Sequence, residues 1–173
     1  GSDHGFGLLD DDDILADLYV GRISAWNSTQ VGVMTSKIIN FEQSAARTPW
    51  RKRVTLFGSG AQHEQTFSTQ CEIISEGLPG RYYQAKHYTG AVKDGLETFL
   101  GDHDDALDIL DDGALWTSYV GHGAGGIWGY NKVLAFSDVP FLQNNRKTGI
   151  FLSMTCFTGA YEGSRGEISL GES

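Results

Sequence analysis

Two short apolar runs, each closing beside glycine on a residue fit for nucleophilic or base chemistry, constrain this chain more than any other feature. The first is Leu115-Trp116-Thr117-Ser118-Tyr119-Val120, ending in Gly121-His122-Gly123. The second is Gly149-Ile150-Phe151-Leu152-Ser153-Met154-Thr155, ending in Cys156 with Gly159 three positions on. Short runs rich in β-branched and aromatic residues and bounded by glycine read as buried strands of a parallel sheet. If the two are neighbours joined by a crossover through residues 124–148, their carboxyl ends emerge at one edge of the sheet. His122 and Cys156, 34 positions apart, then face each other there.

A free thiol with a pKa near ~8.5 is mostly protonated at neutral pH, and a neighbouring imidazole can lower that pKa or take the proton during attack. Acyl transfer also needs backbone N–H donors beside the developing oxyanion, and the amides of Gly123 and Cys156 are the candidates. Taken singly, Cys156 reads as a small buried hydrophobe and His122 as a turn residue. Their joint position at two neighbouring strand ends outweighs both bland readings.

Upstream, strand-like and helix-like segments alternate. Residues 18–24 read as a strand, and Ser28 is a favourable N-cap ahead of Val31, Met34, Ile38 and Phe41 on one helical face. Pro49 argues against continuing that helix. Residues 53–57 read as the next strand, with Gly58-Ser59-Gly60 as a turn of the kind that can line an active site. A helix with Phe67, Cys71, Ile74 and Leu78 on one face is stopped by Gly77 and Pro79-Gly80. Residues 82–87 are a further strand, and residues 91–110 hold one or two helices separated at Gly101. This alternation is the signature of an α/β layered domain with a mostly parallel sheet, and 173 residues with 40% apolar content make one domain spanning the chain.

Other functions fit less well. A net charge of −9 with dispersed aspartates argues against a nucleic-acid surface, and no run approaches the roughly 18 apolar residues of a membrane span. Two cysteines make no disulfide framework, and Cys71 reads as a core residue. Zinc would need three or four ligands at recognisable spacing, which are not found. Asp10-Asp11-Asp12-Asp13 could hold Ca²⁺ as a structural ion, but the spacing is not that of an EF-hand loop and such runs are ordinarily solvated turns. Gly121-His122-Gly123-Ala124-Gly125-Gly126 formally satisfies the dinucleotide fingerprint, yet Ile127-Trp128-Gly129-Tyr130 follows where a long amphipathic helix is required. His63 either lines the cleft or starts a helix, and His103 sits among aspartates at a helix start.

Tyr119-Val120-Gly121-His122-Gly123, followed by a strand ending in Thr155-Cys156-Phe157-Thr158-Gly159, resembles the caspase-like cysteine peptidases, and among them the gingipain-type group. Ser2-Asp3-His4-Gly5-Phe6-Gly7, then Asp17-Leu18-Tyr19-Val20-Gly21-Arg22-Ile23, then Lys37-Ile38-Ile39-Asn40-Phe41-Glu42 follow in that group's order, so the resemblance covers most of the chain. It implies a caspase-like three-layer sandwich, incomplete here, with a mostly parallel central sheet. It also implies an endopeptidase acting on protein or peptide substrates, with Cys156 as nucleophile, His122 as base and acid, and an acyl-enzyme intermediate. No cofactor is required, and the implied setting is extracellular, with the cytoplasm as alternative.

Gingipain-type enzymes that cut after arginine carry an acid at the base of the primary pocket; the match places Gly60 there, in a shortened loop, with Glu64 or an acid of residues 10–13 as substitutes. The same loop offers no clear carboxylate to orient His122, which predicts a dyad supported by a backbone carbonyl. Val120 and Met154, adjoining the dyad on their own strands, join Gly60 as candidate pocket walls. The family's domain continues with further strands beyond its cysteine. The Cys156 strand is therefore expected to be an open edge, and a second chain or fragment is expected to supply the rest of the catalytic domain. The alternative function is a catalytically silent α/β module that uses the same cleft for peptide binding or as an interaction module; peptide ligation or acyl transfer by the same dyad is a third.

Overall fold

The computed structural model describes residues 3–9, 13–43, 48–61, 64–147, 149–160 and 169–172. The chain divides into two compact units, residues 1–35 and 36–173. The first is mostly irregular. The Gly7 carbonyl accepts from the amides of Asp17 and Leu18 at 2.8 and 3.2 Å, the Asp17 carboxylate accepts from the Leu9 amide at 2.8 Å, and Arg22 pairs with Asp3. The strand expected at residues 18–24 does not form: Leu18, Tyr19, Val20 and Ile23 are exposed. Apolar alternation makes a strand only where a neighbour takes up its N–H and C=O groups, and no described strand pairs with this segment.

Helix α1 (Ser28–Gln43) begins as expected, but its cap is Asn27, whose Oδ1 accepts from the Gln30 amide at 3.0 Å; Ser28 already belongs to the helix. None of its residues is buried, and Val31 and Ile38 from the expected inward face are exposed.

The second unit is built on four parallel strands in the order β2-β1-β3-β7, namely β2 (Tyr83–Thr89), β1 (Arg53–Ser59), β3 (Trp116–Gly121) and β7 (Ile150–Met154). Alternation along β1 feeds two cores. Val54 and Leu56 pack with Tyr88, Val120 and Cys71 of helix α2 (Thr66–Gly77), while Phe57 packs with Tyr119, Trp128 and with Ala106 and Leu110 of helix α3 (His103–Asp112). One helix on each face makes three layers. Cys71 is fully buried, its S–H donates to the Phe57 carbonyl at 3.4 Å, and burial pushes its pKa up to about 12.

Residues 91–110 yield one α-helix preceded by a 3-10 turn at Glu97–Phe99. The start of α3 is fixed by a capping box in which Asp102 accepts from the amides of Asp104 and Asp105 and Asp105 accepts from that of Asp102. The crossover from β3 to β7 holds a small antiparallel sheet of β4 (Gly123–Ala124), β5 (Ile127–Trp128) and β6 (Leu134–Ala135). Among the described residues β7 pairs on one side only, with β3, and all five of its residues are exposed. Among the described residues, no helix is long and apolar enough to cross a membrane.

Candidate active site

The strands carrying His122 and Cys156 are neighbours. β3 and β7 pair in parallel with Val120 opposite Met154, so His122 and Cys156 each lie two residues past the last paired position. Paired strands run about 4.8 Å apart. The residue after His122 meets the residue before Cys156: a β-carbon on Gly123 would lie 2.5 Å from Thr155 Oγ1. Only glycine allows this approach.

The His122 peptide is held on three sides. Its N–H donates to the Ser59 carbonyl at 3.3 Å, and its carbonyl accepts from the Gly129 amide at 2.8 Å and from the Tyr119 hydroxyl. Because residues 122 and 129 form a hydrogen-bonded pair of the β4–β5 hairpin, the next pair, Gly123 with Trp128, is of the non-bonded kind, and the Gly123 N–H points away from β5. The hairpin turns at Gly125-Gly126 and no helix follows, so the glycine pattern does not make a dinucleotide site.

The His122 ring stands edge-on to Phe67 at 5.1 Å and tilted to Tyr130 at 5.2 Å. Its Nε2 lies 3.0 Å from Glu64 Oε2. Here the structure corrects the expectation of a dyad without a carboxylate. β1 and β3 pair in register with Ser59 opposite Gly121, so the chain leaving β1 passes beside His122, and Glu64 turns onto the ring. A carboxylate only accepts, which assigns the proton to Nε2 and leaves Nδ1 of the neutral ring as the basic nitrogen.

Cys156 is a free, exposed thiol at the start of a tight turn. Its carbonyl accepts from the Thr158 amide at 2.9 Å, and the intervening Phe157 has φ 61°. A three-residue turn with positive φ at a bulky residue is rare and strained, and such strain persists only where surrounding structure enforces it. Thr158 supplies that enforcement: it is buried, its Oγ1 lies 3.0 Å from Ser153 Oγ, and its carbonyl accepts from the Gly171 amide at 2.8 Å.

Of the proposed pocket residues, Gly60 is buried, and a β-carbon there would lie 2.7 Å from the Glu64 carbonyl. Val120 points into the core beneath α2, and Met154 is exposed on β7. His63 and residues 10–12 of the acidic run lie outside the described residues; Asp13 Oδ1 accepts from the Leu15 amide at 2.7 Å. Among the described residues, no group of three or more His, Cys, Asp or Glu is placed to hold a metal ion. A cleft of about 470 Å³ lined by Pro49, Trp50, Arg53, Tyr83 and Asp112 opens at the opposite end of the sheet from His122 and Cys156.

Comparison with known proteins agrees with this architecture. The crystal structure of the Arg-specific cysteine proteinase gingipain R superposes with a TM-score of 0.73 at 16% identity, over 98% of this chain and 39% of that one, so both share the caspase-like fold. The chain thus spans well under half the length of that relative. No curated protein matches by sequence. The sequence profile of peptidase family C25 matches residues 1–173. The chain belongs to peptidase family C25, whose kind of function is that of a cysteine peptidase.

Proposed function

We propose that this chain carries the catalytic centre of a cysteine endopeptidase. His122 Nδ1 takes the Cys156 thiol proton as the sulfur attacks the substrate carbonyl. The oxyanion of the tetrahedral intermediate is received by the amides of Gly123 and Cys156. Collapse breaks the peptide C–N bond, and His122 returns the proton to the leaving amine. Water, deprotonated by His122, then attacks the thioester and releases the carboxylate and the thiol. Glu64 holds the ring with Nδ1 free and stabilises the imidazolium formed at each step.

The observation that carries this reading is the register of β3 and β7, which puts both side chains just past neighbouring strand ends. Met154, exposed on the thiol's own strand, is the pocket wall most open to a substrate side chain. Glu64 is engaged with His122 and Gly60 brings no charge, so cleavage after arginine is not proposed. The open β7 edge supports completion of the sheet by polypeptide outside these residues.

The test is a peptidyl thiol-reactive probe on the intact catalytic domain. Labelling of Cys156 that His122→Ala abolishes is the expected result. Equal labelling of wild type and variant would leave a peptide-binding module as the better account.

A further inference from the structure

The proposed mechanism uses none of Trp128, Ser153 or Thr158, yet these residues tie its two halves together. The Tyr119 hydroxyl holds the His122 carbonyl. The Tyr119 ring lies flat on the Trp128 indole, with centroids 4.6 Å apart and planes 3° from parallel. Trp128 is 2% exposed, and its Nε1–H donates to Ser153 Oγ at 2.8 Å. Ser153 Oγ lies 3.0 Å from Thr158 Oγ1, and the Thr158 amide closes the strained turn on the Cys156 carbonyl. One continuous path of stacking and hydrogen bonds therefore runs from the base's peptide to the nucleophile's turn, through the layer beneath both.

We infer that Trp128, Ser153 and Thr158 are positioning residues that set the separation between the His122 ring and the Cys156 thiol. This rests on the peptidase reading above. Two loops with no direct bond between them drift independently unless a shared support fixes them, and a misplacement of about 1 Å can cost on the order of a hundredfold in rate. Ser153 is the joint of that support. Because it accepts from the indole, its own O–H is free to donate to Thr158 Oγ1, so this hydroxyl connects the element behind His122 to the one behind Cys156, beside the backbone link in which the amides of Leu170 and Gly171 donate to the Gly125 and Thr158 carbonyls.

The experiment uses the full-length catalytic chain. It compares Ser153→Ala, Ser153→Thr, Trp128→Phe and the double variant Ser153→Ala/Trp128→Phe. The readouts are kcat and KM on a peptide substrate, the rate of Cys156 alkylation by iodoacetamide from pH 5 to 9, and thermal unfolding. Trp128→Phe keeps a ring on Tyr119 but lacks the N–H donor. Ser153→Ala and Trp128→Phe should each lower kcat by about tenfold or more with KM nearly constant, and should depress alkylation at neutral pH. Ser153→Thr, which retains the hydroxyl, should recover most of that loss, and the double variant should be little worse than either single one, because one path is cut once.

Wild-type kcat in Ser153→Ala, equal losses in the Thr and Ala variants, or losses that multiply in the double variant would each overturn the inference. A loss of kcat that merely follows lowered thermal stability would do so too. His122→Ala serves as the control. If it leaves alkylation unchanged, the dyad itself fails and the inference goes with it; if it slows alkylation while Ser153→Ala does not, the inference alone fails.

Discussion

The carboxylate of Glu64 stands 3.0 Å from Nε2 of His122, across 58 positions of sequence, on the chain leaving the strand next to the one that carries the histidine. Both side chains keep about a third of their surface in solvent, so the pair acts through orientation more than through a large electrostatic gain. Replacing the carboxylate by an amide keeps the shape and removes the charge proposed to steady the imidazolium. Glu64→Gln should lower kcat by about ten- to a hundredfold with KM nearly unchanged, as expected for loss of one charge-assisted hydrogen bond. Steady-state kinetics check this. Unchanged kcat would mean that His122 is held by its peptide and its aromatic neighbours alone.

The sequence was informative wherever one strand's pattern was self-sufficient. The runs before His122 and Cys156 and their parallel pairing follow from apolar runs and bounding glycines. Glu64 was legible as a charge near the cleft but not as the partner of His122, since that depends on β1 lying next to β3, a long-range fact no local pattern contains. The alternation at residues 18–24 misled for the same reason: its strand needs a partner that the described residues do not provide. Phe157 could not be anticipated, because a bulky residue at positive φ contradicts local preference and is imposed by the buried Thr158 behind it.

Gly123 is fixed by the thiol's strand. A β-carbon there would lie 2.5 Å from Thr155 Oγ1, 3.0 Å from Thr155 Cγ2 and 3.1 Å from the Ile127 carbonyl. Gly123→Ala should cost about 1–3 kcal/mol of stability through overpacking and should depress activity further by shifting the amide proposed to receive the oxyanion. Adding Thr155→Ala removes two of the three contacts and should restore part of the stability. Urea unfolding of the single and double variants measures this; a fully stable Gly123→Ala would show that the hairpin yields without cost.

His87 gives the fold an acid limit. It is buried, its Nε2–H donates to the Asp102 carbonyl at 2.8 Å, and its Nδ1 has no hydrogen-bond partner among the described residues. Burial holds its pKa below the ordinary value of 6.5, with the Asp102 carbonyl and the carboxylates of Asp105 and Asp102 opposing only in part. The unfolded chain binds the proton more readily, so this contribution is fully present above about pH 6.5 and is lost as pH falls from there towards the lower folded-state pKa. His87→Gln, which offers a nitrogen donor at a similar reach without titrating, should flatten the stability profile below pH 6.5. Parallel slopes for the two proteins in chemical denaturation between pH 7 and 5 would refute the assignment.

The open edge makes a prediction about the chain taken alone. β7 presents Ile150, Phe151, Leu152 and Met154 to solvent, each more than a third exposed, and its outer side has no strand to take its N–H and C=O groups among the described residues. An exposed, apolar edge of this kind is a template for pairing with another chain, and a lysine on it opposes such pairing by placing a charge where the partner must pack. A protein of residues 1–173 should therefore self-associate with rising concentration, and Phe151→Lys should shift it towards monomer while leaving the β3–β7 ladder intact, since the change touches no backbone pairing. Sedimentation velocity over a concentration series reads both effects. A wild-type chain that stays monomeric at high concentration would mean that the twist of the four-stranded sheet protects this edge without a partner.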